Sequence, residues 1–239
     1  MKIHRFIGDF DLNKENIEIT GEIAKQIRIV LKLKIGEKIE LCNNQHFSAI
    51  AEICSIGKNF ILVKIDTSAL LRQGFAGQNT AKKVILFCAV LKKENFELVV
   101  QKTTECGVSK IIPVITSRTV KTGLNMERLK KIAREASEQS GRTDVPEIYE
   151  PIKFTDAIKL IKENNLNIFF DASGEEFDSL YNFQLLTFNL FVGPEGGWTP
   201  EEIKIAKENN FEIASLGNLT LRGETAAIIA TYLVSNLNK

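Results

Sequence analysis

The sequence predicts an α/β protein with a mostly parallel sheet, preceded by a small β-barrel. Three observations predict this. Short segments of alternating apolar and polar residues fill roughly the first 70 positions. Beyond them, continuous apolar runs alternate with helical stripes, the pattern of strands covered on both faces. Between the two regimes lies a polar, glycine-rich stretch, Arg72-Gln73-Gly74-Phe75-Ala76-Gly77-Gln78-Asn79, which sets a boundary between domains 1–72 and 73–239.

In the first region the alternating segments are Ile17–Thr20, Lys38–Leu41, Ser48–Ile53 and Phe60–Ile65. Asn43-Asn44 and Gly57-Lys58-Asn59 supply turns between the later ones, and a helix is expected from Gly21 to Leu33. In the second region Val84–Leu91 is a continuous apolar run fit for a buried strand. Glu94–Cys106 carries Phe96, Val99 and Val100 at helical spacing. Ile111–Ile115, Ile168–Asp171, Leu190–Val192 and Glu212–Leu216 are further strands. Glu127–Ser140 and Glu224–Leu237 are further helices.

Composition narrows the chemistry. Hydrophobic residues make up 44% of the 239 positions and charged residues 26%, as in ordinary folded proteins. No apolar run reaches the roughly 18 residues a membrane helix needs. The opening Met1-Lys2-Ile3-His4-Arg5-Phe6, with Asp9, Asp11 and Glu15 close behind, lacks the basic-then-apolar pattern of a secretory signal; a cytoplasmic location is expected. Cys42, Cys54, Cys88 and Cys106 are widely spaced and form no Cys-x-x-Cys pair, so neither a disulfide framework nor a metal site is expected. His4 and His46 are the two histidines, and neither has a ligand neighbour at metal-binding spacing. That disfavours zinc hydrolases and nucleophiles that need an imidazole base.

The net charge of +1 does not announce a nucleic-acid binder, but two local stretches are basic. One holds Lys25, Arg28, Lys32, Lys34 and Lys38; the other runs from Arg118 through Lys121, Arg128, Lys130, Lys131 and Arg134 to Arg142. Such separated stretches suit a phosphate backbone tracked over some distance. On charge alone they equally suit solvated faces of two elements.

Two segments carry the chemistry. In Phe191-Val192-Gly193-Pro194-Glu195-Gly196-Gly197-Trp198-Thr199-Pro200-Glu201-Glu202, a strand delivers a loop with three glycines, which permit close backbone approach to a ligand. Thr199, Pro200 and Glu202 then open a helix as N-cap, first residue and reciprocal capping partner. Neither a G-x-G-x-x-G fingerprint nor a Walker loop is present, so the loop is not shaped for a pyrophosphate. In Leu216-Gly217-Asn218-Leu219-Thr220-Leu221-Arg222-Gly223-Glu224, a second glycine loop leads into the last helix. Arg222 and Glu224 stand at that junction, where polar side chains project into a site or form a surface ion pair.

Four ordered motifs carry a resemblance. They are Lys102-x-x-Glu105-x-Gly107-Val108 with Pro113, Glu135-Ala136-x-Glu138-Gln139-x-x-Arg142 with Pro146, Gly193-Pro194-Glu195-Gly196-Gly197, and Leu216-Gly217-x-x-x-Leu221-Arg222-x-Glu224-Thr225-Ala226. With His4-Arg5-Phe6 and Val30-Leu31…Gly36-Glu37, the chain resembles the bacterial 16S ribosomal RNA uridine N3-methyltransferases of the SPOUT superfamily along nearly its whole length.

The resemblance implies a PUA-like RNA-binding barrel followed by a SPOUT domain with a C-terminal trefoil knot, an exception to the unknotted rule. It implies S-adenosyl-L-methionine as methyl donor, held by Phe170, Asp171, Gly193, Glu195, Gly196, Gly197, Leu216, Gly217, Asn218 and Leu221. It also implies a homodimer acting on 16S ribosomal RNA of the small subunit, with no metal and no membrane. On this reading Arg222, Glu195 and Glu224 are catalytic, and His4, Arg5, Lys25, Arg28, Lys32, Arg134 and Arg142 contact RNA. The chain departs from the family pattern at Gln26, Lys32, Cys106 and Leu219, where members usually carry His, Arg, Leu and Arg. Leu219 removes a charge beside the donor loop, and Lys32 loses the bidentate phosphate grip of arginine. Two alternatives accompany this reading: a ribose 2′-O-methyltransferase of the same superfamily, and a non-catalytic ribosome-assembly protein that binds RNA.

Overall fold

The computed structural model describes residues 3–45, 47–66, 72–73, 83–120, 123–161, 165–177 and 187–236, of which 72–73 only in their backbone. The chain forms two compact units: Met1–Asn79 with Ser137–Val145, and Thr80–Ala136 with Pro146–Lys239. Most of the expected boundary, residues 74–79, lies outside the described residues, as do His46, Lys121 and the final Leu237.

The first unit contains β1 (His4–Ile7), β2 (Asn16–Thr20), α1 (Gly21–Lys25), β3 (Lys38–Cys42), β4 (Phe47–Ile56), β5 (Phe60–Ile65) and β6 (Arg72–Gln73). The strand order is β1-β3-β4-β5-β2, with β6 paired to β4. All pairings are antiparallel except β1 with β3. Phe6 on β1 and Ile17 and Ile19 on β2, from opposite ends of this order, share one buried core with Ile39, Leu41 and Ile53. The sheet therefore wraps around that core, as a small barrel does. β1 is too short for alternation to betray it in the sequence. The expected helix to Leu33 ends sooner: after Lys25 it widens into a π turn, Gln26–Val30, where Leu31 N–H donates to Gln26 O. Lys32 then takes a positive φ of 54°, which closes off helical continuation.

The second unit runs β7 (Lys83–Ala89), α2 (Lys93–Glu105), β8 (Lys110–Ile115), α3 (Met126–Ser140), β9 (Glu147–Ile148), β10 (Ile152–Lys153), α4 (Phe154–Lys159), β11 (Leu166–Glu176), β12 (Thr187–Val192), α5 (Pro200–Glu208), β13 (Glu212–Ser215) and α6 (Gly223–Asn236). Its sheet has the order β10-β8-β7-β12-β11-β13 and every pair is parallel, with β9 also on β8. One face packs an aromatic core: Phe87 stacks on Phe191 at 4.3 Å, and Phe169 lies 4.3 Å from Trp198, with Phe154 of α4 and Ala206 of α5 against them. The other face is covered by α6, which packs on β7, β12 and α2. A sheet covered on both faces explains why its strands read as continuous apolar runs. Short β9, β10 and α4 were not expected; two-residue strands leave no periodicity to read.

The last stretch matters for the site. β12 slots between β7 and β11, β13 lies outside β11, and α6 returns to the middle of the sheet. The expected knot turns on how this closing segment passes the chain between β11 and β12, where residues 178–186 lie outside the described ones.

Candidate functional site

Both glycine loops leave the carboxyl ends of parallel strands, where open α/β sheets bind ligands. The first follows β12. A side chain at Gly193 would meet Trp198 Nε1 at 2.9 Å, so the absence of one lets the indole lie on the backbone. Trp198 Nε1–H donates to Phe170 O at 3.0 Å, folding the loop back over β11. Gly197, at φ 68°, donates its N–H to Pro194 O at 2.8 Å and turns the chain into α5. There the expected capping box forms: Thr199 Oγ1 accepts from Glu202 N–H, and Glu202 Oε2 accepts from Thr199 N–H at 2.8 Å. Glu202 is buried, and its other oxygen accepts from Ser117 N–H at 2.9 Å. Two further neighbours grip the loop: Arg118 Nη1 donates to Gly196 O at 2.6 Å and Trp198 O at 3.1 Å, and Glu195 Oε1 accepts from Lys92 N–H at 3.4 Å.

The second loop follows β13. Gly217 has a φ of 104°, open to glycine at little steric cost, and Ser215 Oγ donates to Gly217 O while accepting from its N–H. The loop then crosses back to α6. A side chain at Gly223 would meet Leu91 Cδ2 at 2.9 Å and Gly193 O at 3.3 Å. The start of α6 thus lies directly on the first glycine of the other loop. Electrostatics agree with this convergence. The buried Cys88 thiol at the end of β7 is pushed up chiefly by burial, then by the negative charges of Glu195 and Glu224.

Of the expected site residues, Phe170, Asp171, Gly193, Glu195, Gly196, Gly197, Leu216, Gly217, Asn218, Leu221, Arg222 and Glu224 all stand on these strand ends and loops. Asp171 accepts from Ser173 N–H and Oγ–H, tightening the β11 end. Arg222 is exposed, and its guanidinium has no hydrogen bond or ion pair among the described residues. Glu224 is buried in the first turn of α6, where a negative charge suits the helix N-terminus, yet its Oε2 has no partner. Leu219 is 82% exposed.

The residues expected to meet RNA divide differently. Arg5 pairs with Glu40 at 2.7 Å, and Arg142 pairs with Asp144 at 2.7 Å, all four side chains largely shielded. Lys25 pairs with Glu22 in the open, and Arg28 donates to Gly57 O and Lys58 O. His4 is half-buried on β1, Lys32 is exposed without a partner among the described residues, and Arg134 is exposed on α3. The Glu138…Arg142 motif joins the first unit, where Glu138 Oε1 accepts from Ile7 N–H. Sequence reasoning missed the anchors of the first loop: Trp198, Arg118 and the Lys92 amide. The lone tryptophan inside a glycine loop was the available signal, while a backbone amide gives none.

Comparison with known proteins bears on this geometry. The family model for an RNA methyltransferase domain matches residues 78–235, and that for an RNA methyltransferase PUA domain matches residues 15–66. The chain is 34% identical over 237 residues to "Ribosomal RNA small subunit methyltransferase E" of Rickettsia conorii, covering 96% of this chain and 94% of that protein. It is 26% identical to the protein of the same name from Bacillus subtilis, covering 94% of each. Its fold is similar to that of the Neisseria gonorrhoeae ribosomal RNA small subunit methyltransferase E bound to S-adenosyl methionine, with a TM-score of 0.88 and 24% identity over 99% of this chain and 98% of that one. A methyltransferase from Legionella pneumophila, in complex with bound cofactor SAM, has a TM-score of 0.85 and 28% identity, covering 98% of this chain and 97% of that one.

The cysteines give a check on the burial described above. Burial pushes the Cys42 thiol from 9.0 up to about 12 and raises that of Cys88 as well, whereas Cys54 is exposed. A raised folded-state value means that stability from the protonated thiols is complete below about pH 9 and is lost as pH rises towards 12. At about pH 8, Ellman's reagent should modify Cys54 readily, and Cys42 and Cys88 only after denaturation. Prompt modification of all four thiols in the folded protein would contradict the packing of both units.

Proposed function

The chain belongs to the RNA methyltransferase family that carries an N-terminal PUA domain, and from this premise we propose that it transfers a methyl group from S-adenosyl-L-methionine to N3 of a uridine in 16S ribosomal RNA of the small subunit. The observation that carries the proposal is the meeting of the two glycine loops. Gly193 and Gly223 let the start of α6 come against the first loop, and Gly217 has open space where a side chain would stand. Glu195 and Glu224, whose Oε2 has no partner among the described residues, both act on the buried Cys88. These features fit a cationic donor. Small residues admit an adenosine and its tail, and carboxylates favour a sulfonium. A buried carboxylate oxygen without a partner among the described residues is unusual for a merely structural glutamate and leaves an acceptor for a ligand.

When bound, the donor supplies a methyl group made reactive by positive sulfur, and no metal is required for its in-line displacement. The residues must supply orientation and charge. Uracil N3 carries a proton and is a weak nucleophile until that proton leaves. We assign Arg222, exposed and uncommitted at the mouth of the second loop, to the negative charge that develops on the uracil carbonyl oxygens. Glu195 or Glu224 is assigned to orient that arginine or to accept the N3 proton, Glu195 being tied to the Lys92 amide and Glu224 standing in the first turn of α6. Residues 1–72 are assigned to RNA binding, where Lys25 and Lys32 are exposed and Arg28 is half-buried, and 73–239 to methyl transfer. Shielded by their own carboxylates, Arg5 and Arg142 contribute to RNA binding through the shape of that unit, together with His4; Arg134 adds charge from α3.

A second copy of the chain is also part of the proposal. Leu98 of α2 and Tyr232 and Leu233 of α6 are exposed on two helices that pack together, and Tyr232 is 57% exposed. Exposed apolar side chains on two adjoining helices suit a partner surface better than water. Sedimentation at micromolar concentration should give twice the 26.8 kDa chain mass, and a monomer would contradict the dimer.

The reaction itself is tested by incubating the protein, donor and small-subunit RNA, then digesting the RNA and weighing its nucleosides. A base-methylated uridine is expected, and a ribose-methylated nucleoside would move the chain to the 2′-O-methyltransferases. Absence of both product and donor binding would leave an RNA-binding assembly protein. Arg222→Ala should lower turnover about 100-fold or more while leaving the donor dissociation constant within about twofold; full activity would end that assignment.

A further inference from the structure

Arg118 stands on the turn after β8, outside both glycine loops. That turn is itself rigid: Thr116 N–H donates to Thr119 Oγ1 at 2.9 Å, and the two threonine hydroxyls lie 2.9 Å apart. It touches the first glycine loop twice. Ser117 N–H donates to the buried Glu202, whose second oxygen closes the capping box of α5. Arg118 Nη1 donates to Gly196 O and Trp198 O, on either side of the positive-φ residue Gly197. Its aliphatic stem runs along Gly196, where an added side chain would meet Cδ at 3.4 Å.

Glycines make that loop mobile by default, because they constrain the backbone least. The amides and carbonyls of such a loop can grip a ligand only when something outside it fixes their directions. One guanidinium nitrogen bridging the carbonyls at 196 and 198 does this across the residue most free to rotate. The Gly197 N–H is held too, donating to Pro194 O at 2.8 Å, so the backbone is fixed on both sides of that residue.

Resting on the methyl-donor reading of this loop, we propose that Arg118 is a positioning residue for donor binding. It acts through the backbone of residues 196–198 and touches neither substrate. Its membership of the basic stretch is then a poor guide to its work, since its donors serve the protein rather than phosphate.

The test is calorimetric titration of the full-length protein with S-adenosylmethionine, together with thermal unfolding of the ligand-free variants. Arg118→Met keeps the stem and removes the donors. It should weaken donor binding about tenfold or more, the scale for a lost charge-assisted bond, with an unfolding midpoint within about 2 °C of the unmodified protein. Arg118→Lys, which restores a charged donor, should fall between the two. The loss should appear in the donor KM, with RNA affinity unchanged. Unchanged donor affinity in Arg118→Met overturns the proposal. If that variant does not fold, Arg118→Lys decides: affinity reduced severalfold supports the positioning role, and full affinity overturns it. An unmodified protein that binds no donor would instead sink the methyl-donor reading on which this rests.

Discussion

The site depends on one strand having two parallel partners. β11 pairs Leu166–Phe170 with β12 and Ile168–Phe170 with β13, then resumes on β13 at Glu175 after a register shift. At that shift Gly174 lies so close to the Ile213 backbone that no side chain would fit. Parallel pairing puts the carboxyl ends of all three strands on one edge. Both glycine loops therefore start within a strand's width or two of each other, before any loop contact is made. The approach of Gly223 to Gly193 completes what that register begins. A slip of one residue would turn the aromatic side chains of that strand to the opposite face of the sheet.

Such a strand needs a covering that tolerates no slip. The aromatic cluster provides it: Phe169, Phe191 and Phe87 come from three neighbouring strands, and Trp198 and Phe211 close on them from the flanking segments. A buried polar pair adds register-specific pairing, because Asn189 donates to Asn167 at 2.7 Å across opposed positions of β11 and β12. An unpaired amide there would be costly, so the correct alignment is the one that satisfies both. Trp198 serves core and site at once, packing on Phe169 while holding the loop to Phe170 O.

Much of this was legible beforehand for physical reasons. Strands covered on both faces must be apolar throughout, so β7, β8 and β12 announced themselves in Val84–Leu91, Ile111–Ile115 and Leu190–Val192. The start of α5 was readable to the residue, because Thr199, Pro200 and Glu202 each solve a local hydrogen-bond problem at a helix end. What escaped notice was long-range. Nothing in Arg118 or in the Lys92 amide says that a loop 78 or 103 positions away will accept their hydrogen bonds. Charge misled in a related way: Arg5 and Arg142 read as free cations until their partners Glu40 and Asp144 are seen beside them. The π turn at Gln26–Val30 also lay beyond pattern reading, since it keeps the helical apolar spacing to its end.

The central claim is that the edge formed by the two glycine loops is the place where the methyl donor sits. Amide NMR of the isotope-labelled protein, titrated with S-adenosylmethionine, addresses it without requiring turnover. The account predicts that the largest shifts fall on Gly193, Gly196, Gly197, Gly217 and Gly223, saturating together with one dissociation constant. Shifts confined to other surfaces, or loops that respond at different concentrations, would contradict it.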